Sequence, residues 1–315
     1  MNSLNIDAMR LYLSASISSM NKNKLNGLLA EIDLRNHLHS LGYGHRVSVG
    51  GWVARSTGEG NFGHSTIVVF PEIVEPGVDF SPTRSLSNPP IGLHTICSTF
   101  RQLGIQSFYC SPEISTENDP TSLTWRAKEL GIPWEDPYQN FPQQLDGFQG
   151  RERNYNFLRY KTDVSLIPDS HVAEEFSKEH LRISLSNRYI AEISDVDGIF
   201  WGKQFTYPIE IKEKTAANDK RLGDYFGLDL GPFVKLAHYA AKRGNLHSLF
   251  VVREIADADS RELVQWLYIT FDQLAQFASW VPSSGGTNML GGGSTVVKIP
   301  KCEFSPLTSA ALASL

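Results

Sequence analysis

Cysteine is scarce in this chain. Its three residues, Cys97, Cys110 and Cys302, lie far apart and form no C-x-x-C pair. That spacing argues against a disulfide framework or a zinc site, and for a reducing compartment such as the cytoplasm. Positive charge is not in excess either: 29 Lys and Arg face 34 Asp and Glu, a net charge of −5. A protein coated in positive charge, of the histone-like kind, is thereby excluded. A nucleic-acid enzyme is not, because its basic groups can be confined to one cleft. No apolar run approaches the roughly 18 residues needed to span a bilayer, so no membrane partner is expected. The opening "MNSLNIDAMRLYLSASISSM" lacks the basic start and continuous apolar run of a signal peptide. The nine histidines show no H-x-x-x-H or H-E-x-x-H spacing. "GEGNFG" (58–63) and "LGGGS" lack the strand–glycine–helix context of a nucleotide loop and read as turns. A helicase P-loop, a methyltransferase region and internal repeats are absent as well.

What is present is an ordinary globular composition. The 315 residues are 41% hydrophobic and 20% charged, enough for one large domain or two ordinary ones. "NKLNGLLAEIDLRNHLHSLGY" (23–43) carries Leu25, Leu28, Leu29 and Ile32 at helical spacing, with a second stripe of Leu34, Leu38 and Leu41. It reads as a helix apolar on two sides, and Glu31 heads the second stripe. "HRVSVGGWVAR" (45–55) reads as a strand with a glycine bend. The stretch from about 56 to 150 is rich in Pro, Gly, Ser and Asn, yet too apolar for disorder. It reads as an elaboration, with short helices near 93–104 and 121–131. From 170 the pattern is regular: a helix capped by Ser170, the strand "RYIAEIS", two strands in "DGIFWGKQFTYPIEIKEK", and the helix "GPFVKLAHYAAKRG". The strands "HSLFVVREI" and "ELVQWLYITF" follow, then a helix capped by Asp272. This order predicts an α/β or α+β fold with a mixed sheet. The expected divisions are 1–55, the first helix and strand of the core domain; 56–165, the elaboration; and 166–315, the rest of the core.

The charges of "YPIEIKEKT" (207–215) need an explanation. Ile209 and Ile211 point one way along an extended chain, and Glu210, Lys212 and Lys214 the other. With Lys203 and Gln204 as the two loop residues of a hairpin, Asp197 falls directly across from Glu210. Opposed side chains have Cβ atoms about 4.5–5.5 Å apart on one face. Lys212 lies two residues further along the same face. Two carboxylates that close repel, and a divalent metal would relieve the repulsion. Mg²⁺ takes carboxylate oxygens, keeps several waters, polarises a phosphoryl oxygen and lowers the pKa of a bound water. The bland alternative is an exposed hairpin whose acids are neutralised by Lys212 and Lys214.

Asp197-Gly198, followed thirteen positions later by Glu210-Ile211-Lys212, resembles the signature of the PD-(D/E)XK nuclease superfamily. The family core runs helix, three strands, helix, strand, an order matched here from about 170 to 255. Val196 stands where the signature has proline. The resemblance implies Mg²⁺-dependent cleavage of nucleic-acid phosphodiesters. Asp197, Glu210 and Ile211 would hold metal, and Lys212 would be the catalytic lysine. A further acid from the first helix is implied: Glu31, with Glu175 as the competitor. Asp195 is the spare for Asp197.

Two basic segments complete the reading. "GRERNYNFLRYK" (150–161) sets Arg151, Arg153, Arg159 and Lys161 among aromatics, and "KEKTAANDKRLGDY" supplies Lys214, Lys220 and Arg221. Such groups position phosphates, read guanine edges or stack on bases, although an amphipathic surface explains them equally. Arg151, Arg153, Lys214, Lys220 and Arg221 are the expected DNA contacts. The favoured expectation is a type II restriction endonuclease of a prokaryotic cytoplasm, cutting double-stranded DNA as a homodimer. The long elaboration would read sequence, and a palindromic site calls for two-fold symmetry. A junction resolvase, a repair or transposon-end nuclease, and a catalytically idle DNA-binding protein of the same fold are the alternatives.

Overall fold

A computed structural model describes residues 2–16, 22–56, 65–133, 136–141, 147–152, 163–165, 167–241, 246–284 and 295–315. It is a mixed α/β protein. In chain order it runs α1 (Ile6–Ser16), α2 (Lys22–Ser40), β1 (Gly51–Ser56), β2 (Thr66–Pro71), α3 (Ile91–Gln102), β3 (Gln106–Ile114) and β4 (Leu123–Glu129). Next come β5 (Gln139–Asn140), β6 (Gln149–Gly150), α4 (Asp169–Arg188), β7 (Tyr189–Val196), β8 (Gly198–Trp201), β9 (Thr206–Lys214), β10 (Ala217–Asp219) and β11 (Gly223–Asp229). The chain ends with α5 (Leu230–Ala241), β12 (Leu249–Ile255), β13 (Leu263–Thr270), α6 (Phe271–Phe277), β14 (Ser283–Ser284), β15 (Thr295–Pro300), β16 (Ser305–Pro306) and α7 (Ser309–Ser314). Among the described residues, no helix is long and apolar enough to cross a membrane.

These elements form two compact units, Met1–Leu25 with Gly50–Val196, and Asn26–Val49 with Asp197–Leu315. The divisions therefore differ from those expected at 55/56 and 165/166. The reason is strand pairing. In the first unit β1 pairs with β2 on one side and β7 on the other, in the sheet order β5-β4-β3-β2-β1-β7-β6. Residues 56–165 thus supply β2 to β6, which flank the β1–β7 pair on both sides in one sheet. Gly51 permits this pairing: a Cβ there would come within 2.5 Å of the Val69 carbonyl. Met9, Tyr12 and Leu13 of α1, and Val172, Phe176 and Leu181 of α4, share one core with Val69, Phe108 and Trp125 of the sheet.

Three local expectations are corrected. The helix expected over 121–131 is strand β4, because Leu123, Trp125 and Ala127 alternate and are buried. The strand expected over 45–55 begins at Gly51; Gly44–Arg46 form a 3₁₀ turn. Pro168 and Thr270, not Ser170 and Asp272, stand at the N-caps of α4 and α6, and neither makes a side-chain cap bond. The helices expected at 23–43 and 93–104 form as α2 and α3.

The second unit contains a five-stranded sheet, β16-β13-β12-β9-β8, and a four-stranded sheet, β10-β11-β15-β14. Val47 bridges antiparallel to Phe200, and the Ser48 N–H donates to the Ile199 carbonyl at 3.0 Å, so the chain after α2 lines the β8 edge. β9 and β12 are parallel. Parallel neighbours need a crossover, and the chain through β10, β11 and α5 provides it. One face of the sheet packs Ile209, Ile211, Leu249 and Val251 against Ala30, Leu34 and Leu38 of α2. The other packs Phe250, Val252 and Ile269 against Leu236 of α5, Leu274 of α6, Phe226 and Leu228 of β11, and Val297 of β15.

Candidate active site

β9 is an interior strand, flanked by β8 and β12, and both faces of its sheet are covered. Its isoleucines enter the α2-side core. Glu210 therefore points into the opposite layer, where it is only 1% exposed. An exposed hairpin with solvated acids does not describe this strand. A buried carboxylate needs compensating charge, and its partners are the first clue to what the strand does.

The hairpin register runs from Gly198 opposite Ile209 to Trp201 opposite Thr206. The Gly202 N–H donates to the Phe205 carbonyl at 2.9 Å, which closes a turn over Lys203 and Gln204. One step beyond Gly198, the same register sets Asp197 against Glu210. There the β8 ladder stops, and the Asp197 carboxylate takes over: its Oδ2 accepts the backbone N–H of Ile211 at 2.6 Å. Asp197 is buried. Its side chain thus satisfies an N–H that strand pairing no longer serves, and the short charge-assisted bond holds the carboxylate over β9. Ile211 meets the site through its backbone, with its side chain in the core on the far face.

Two ammonium groups meet the Glu210 carboxylate. Lys212 Nζ lies 2.7 Å from Oε1, and Lys235 Nζ lies 2.5 Å from Oε2. Lys212 comes from the same strand face and Lys235 from α5. The Lys212 side chain is 33% exposed against 14% for Lys235. Lys214 continues the row. Burial pulls its pKa below the ordinary lysine value, Asp229 opposes that shift, and the charge of Lys212 adds to it. Lys235 is a site residue that the motif does not predict. Its signal in the sequence is a lone charge among Phe233, Val234, Leu236 and Ala237 in an apolar helix.

The other expected residues are distributed as follows. Glu31 is half-buried on α2, in the same unit, but its helix packs on the isoleucine face of the sheet. Glu175 is buried on α4, and Asp195 is exposed on β7 opposite Trp52; both belong to the first unit. Arg151 uses its guanidinium locally: Nε donates to the Ser186 carbonyl at 2.6 Å, and a second N–H reaches the same oxygen. It serves as a cationic partner for the C-terminal turn of α4. Arg153, Arg159 and Lys161 lie outside the described residues. Lys220 and Arg221 are exposed in the three-residue loop of the β10–β11 hairpin. Asp219 orders that loop. Its Oδ1 accepts from the Arg221 and Leu222 N–H groups, at 2.9 and 3.3 Å, while Lys298 Nζ sits 2.8 Å from Oδ2. The Lys298 bond and the backbone donors hold the Asp219 pKa down to about 2. Gly223, at φ +69°, turns the chain back into the strand.

Among the described residues, no three or more His, Cys, Asp or Glu gather into a metal-binding group. Asp197 and Glu210 are a pair. Two hard carboxylate oxygens suit Mg²⁺, which binds through one or two carboxylates and retains waters. They do not suit a metal that demands a full protein cage. No protein-family model, curated protein or solved structure matches the chain.

Proposed function

We propose that this protein is a Mg²⁺-dependent endonuclease acting on double-stranded DNA, with Asp197 and Glu210 as metal ligands and Lys212 as the catalytic lysine. One observation carries the reading: a buried carboxylate held against β9 at Asp197, set in register with a second buried carboxylate that contacts a partly exposed lysine. A solvated strand has no need of such a cluster. The element order of the second unit adds support. It runs α2, the extended segment at Val47, β8, β9, the β10–β11 hairpin, α5 and β12, an order like that of a PD-(D/E)XK core with an inserted hairpin. By contrast, α4 and β7, which open the match expected over 170–255, belong to the first unit.

Bound Mg²⁺ would polarise a phosphoryl oxygen and lower the pKa of a coordinated water. The chain's own groups have distinct tasks. Asp197, oriented by the Ile211 N–H, presents a fixed oxygen. The Ile211 carbonyl and Glu210 complete the protein's share of the ligand set. Lys212 extends from the buried carboxylate toward solvent, and its ammonium is placed to stabilise charge that builds on the scissile phosphate. Glu31 is given no part in this chemistry, because its helix covers the opposite, isoleucine face of the sheet. Lys220 and Arg221 supply phosphate contacts from an ordered hairpin tip. The finer proposal is site-specific cleavage of the type II restriction kind by a two-fold dimer, with the 56–165 segment as the recognition region.

The test is digestion of a plasmid of known sequence with Mg²⁺, followed by mapping of the ends. Discrete fragments support site-specific cleavage. A smear supports a nonspecific nuclease of the same chemistry. A second reading has its own observation: both oxygens of Glu210 are already engaged by lysines. An idle DNA-binding protein that keeps this fold would bind DNA and leave it intact under every metal condition.

A further inference from the structure

Lys235 is the feature of the site that neither the motif nor the proposed chemistry requires. It arrives from α5, is more deeply buried than Lys212, and its ammonium lies 2.5 Å from one oxygen of Glu210. With Lys212 on the other oxygen, the single Glu210 carboxylate already carries two ammonium groups. A divalent cation binding Glu210 would bring two more positive charges beside these two ammonium groups and would find both Glu210 oxygens occupied. At protein-interior dielectric that repulsion is large. One ammonium has to give way.

We propose that Lys235 is a positioning residue and a resident counter-cation: it holds Glu210 in place in the metal-free protein, and a divalent metal displaces it from Glu210 Oε2. Lys212 stays with the site, since it shares the strand with Glu210 and is the more exposed of the two. Lys235 is the one on a separate element, and its flexible four-carbon stem ends in a compact point charge that can exchange for another cation. This rests on the reading of Asp197 and Glu210 as metal ligands. It adds that metal affinity is set by competition with a tethered amine.

The test needs no cleavage. Mn²⁺ binding to wild type, Lys235→Met and Lys235→Arg is measured by electron paramagnetic resonance at fixed pH and ionic strength, without DNA. Removing a competing charge one ligand's length away is expected to tighten Mn²⁺ binding about tenfold or more. Lys235→Met should also gain more melting temperature from Mn²⁺ than wild type does, and Lys235→Arg should gain no affinity. Asp197→Asn locates the metal by abolishing binding. In the wild-type protein, acylation of lysines mapped by mass spectrometry gives a second readout that survives a poorly folding variant. Saturating Mg²⁺ should raise the labelling of Lys235 more than that of Lys212. Wild-type Mn²⁺ binding with equal or weaker affinity in Lys235→Met overturns the displacement, as does unchanged Lys235 labelling under saturating Mg²⁺. Absence of Mn²⁺ binding in every variant overturns the metal site itself, and the displacement with it.

Discussion

Glu210 and Glu213 stand three residues apart on β9, on opposite faces, and both are buried side chains whose charge is neutralised in different ways. Glu213 is gripped by arginines. Arg261 places Nε 2.8 Å from one oxygen and an N–H group 2.7 Å from the other, and Arg253 approaches at 2.9 Å. Arg253 also reaches Asp33 of α2 at 3.1 Å. That network ties α2, β9, β12 and the turn after β12 together. Arg261 itself sits in the left-handed region, at φ +53°. Such a backbone costs about 1–2 kcal/mol. Glu210 has two ammonium groups and no fork. A guanidinium matches both lone-pair directions of a carboxylate and stays charged, so it makes a permanent brace. An ammonium is a point charge that another cation can replace. The arginine face of β9 builds the unit, and the lysine face is the one suited to chemistry.

The strongest way to break that contrast is to remove the brace. Glu213→Ala leaves Arg261 without its acid and Arg253 with only the partly exposed Asp33, and stability should fall by about 3 kcal/mol. Urea unfolding measures this. Cleavage per folded molecule should stay near wild type, and a Glu213→Ala protein that is fully stable but inactive would reverse the assignment of the two faces.

Lys212→Ala is the complementary change. Glu210 keeps Lys235, so the fold should lose far less stability than in Glu213→Ala. Single-turnover cleavage should nevertheless fall by about 10²–10³-fold, the usual cost of removing one preorganised electrostatic group. Wild-type cleavage by Lys212→Ala would leave the lysine face without a catalytic role.

A buried base held by an indole and a backbone carbonyl sharpens the rule. In the first unit, His180 accepts the Trp125 indole N–H on Nδ1 at 3.0 Å and meets the Pro120 carbonyl through Nε2 at 3.1 Å. Burial pushes its pKa down to about 4, against a weaker upward pull from that carbonyl. The folded value lies below the ordinary 6.5, so the unfolded chain takes up a proton first as pH falls. Stability from this residue is complete above about pH 6.5 and drains away toward pH 4, by roughly 3 kcal/mol in all. Urea titrations between pH 7 and 4 should show that loss in wild type and a flatter dependence in His180→Gln. Parallel slopes in the two proteins would mean that another group dominates.

The smallest effect is expected at the hairpin tip, where Lys220 and Arg221 are exposed. If this tip contacts phosphates as proposed, removing one of its cations should flatten the log–log salt dependence of DNA binding by about one unit. Alanine at both positions with unchanged slope and affinity would put the DNA path elsewhere.

The sequence by itself determined the local part of this picture. Helical spacing marked α2, and alternation marked β9. The two-residue turn over Lys203 and Gln204 set the register that carries Asp197 to Glu210. A period and a tight turn are properties of neighbouring residues, so they can be read without a fold. Even locally one pattern misleads: Leu123, Trp125 and Ala127 alternate as a strand, where the surrounding residues suggest a helix.

Only the tertiary structure decided the rest. It divided the chain between two units at Val196 and Asp197, and it buried both faces of β9. The crossover to β12 brought Lys235 back to a carboxylate 25 positions earlier in the chain. It also brought Arg253 and Arg261 to Glu213 across 40 and 48 positions. Long loops leave no trace in local spacing, because the entropy of closing them is repaid by packing spread over the whole core. Which carboxylate would meet lysines and which would meet arginines was settled by that packing, since Glu210 and Glu213 are the same residue type on the same strand.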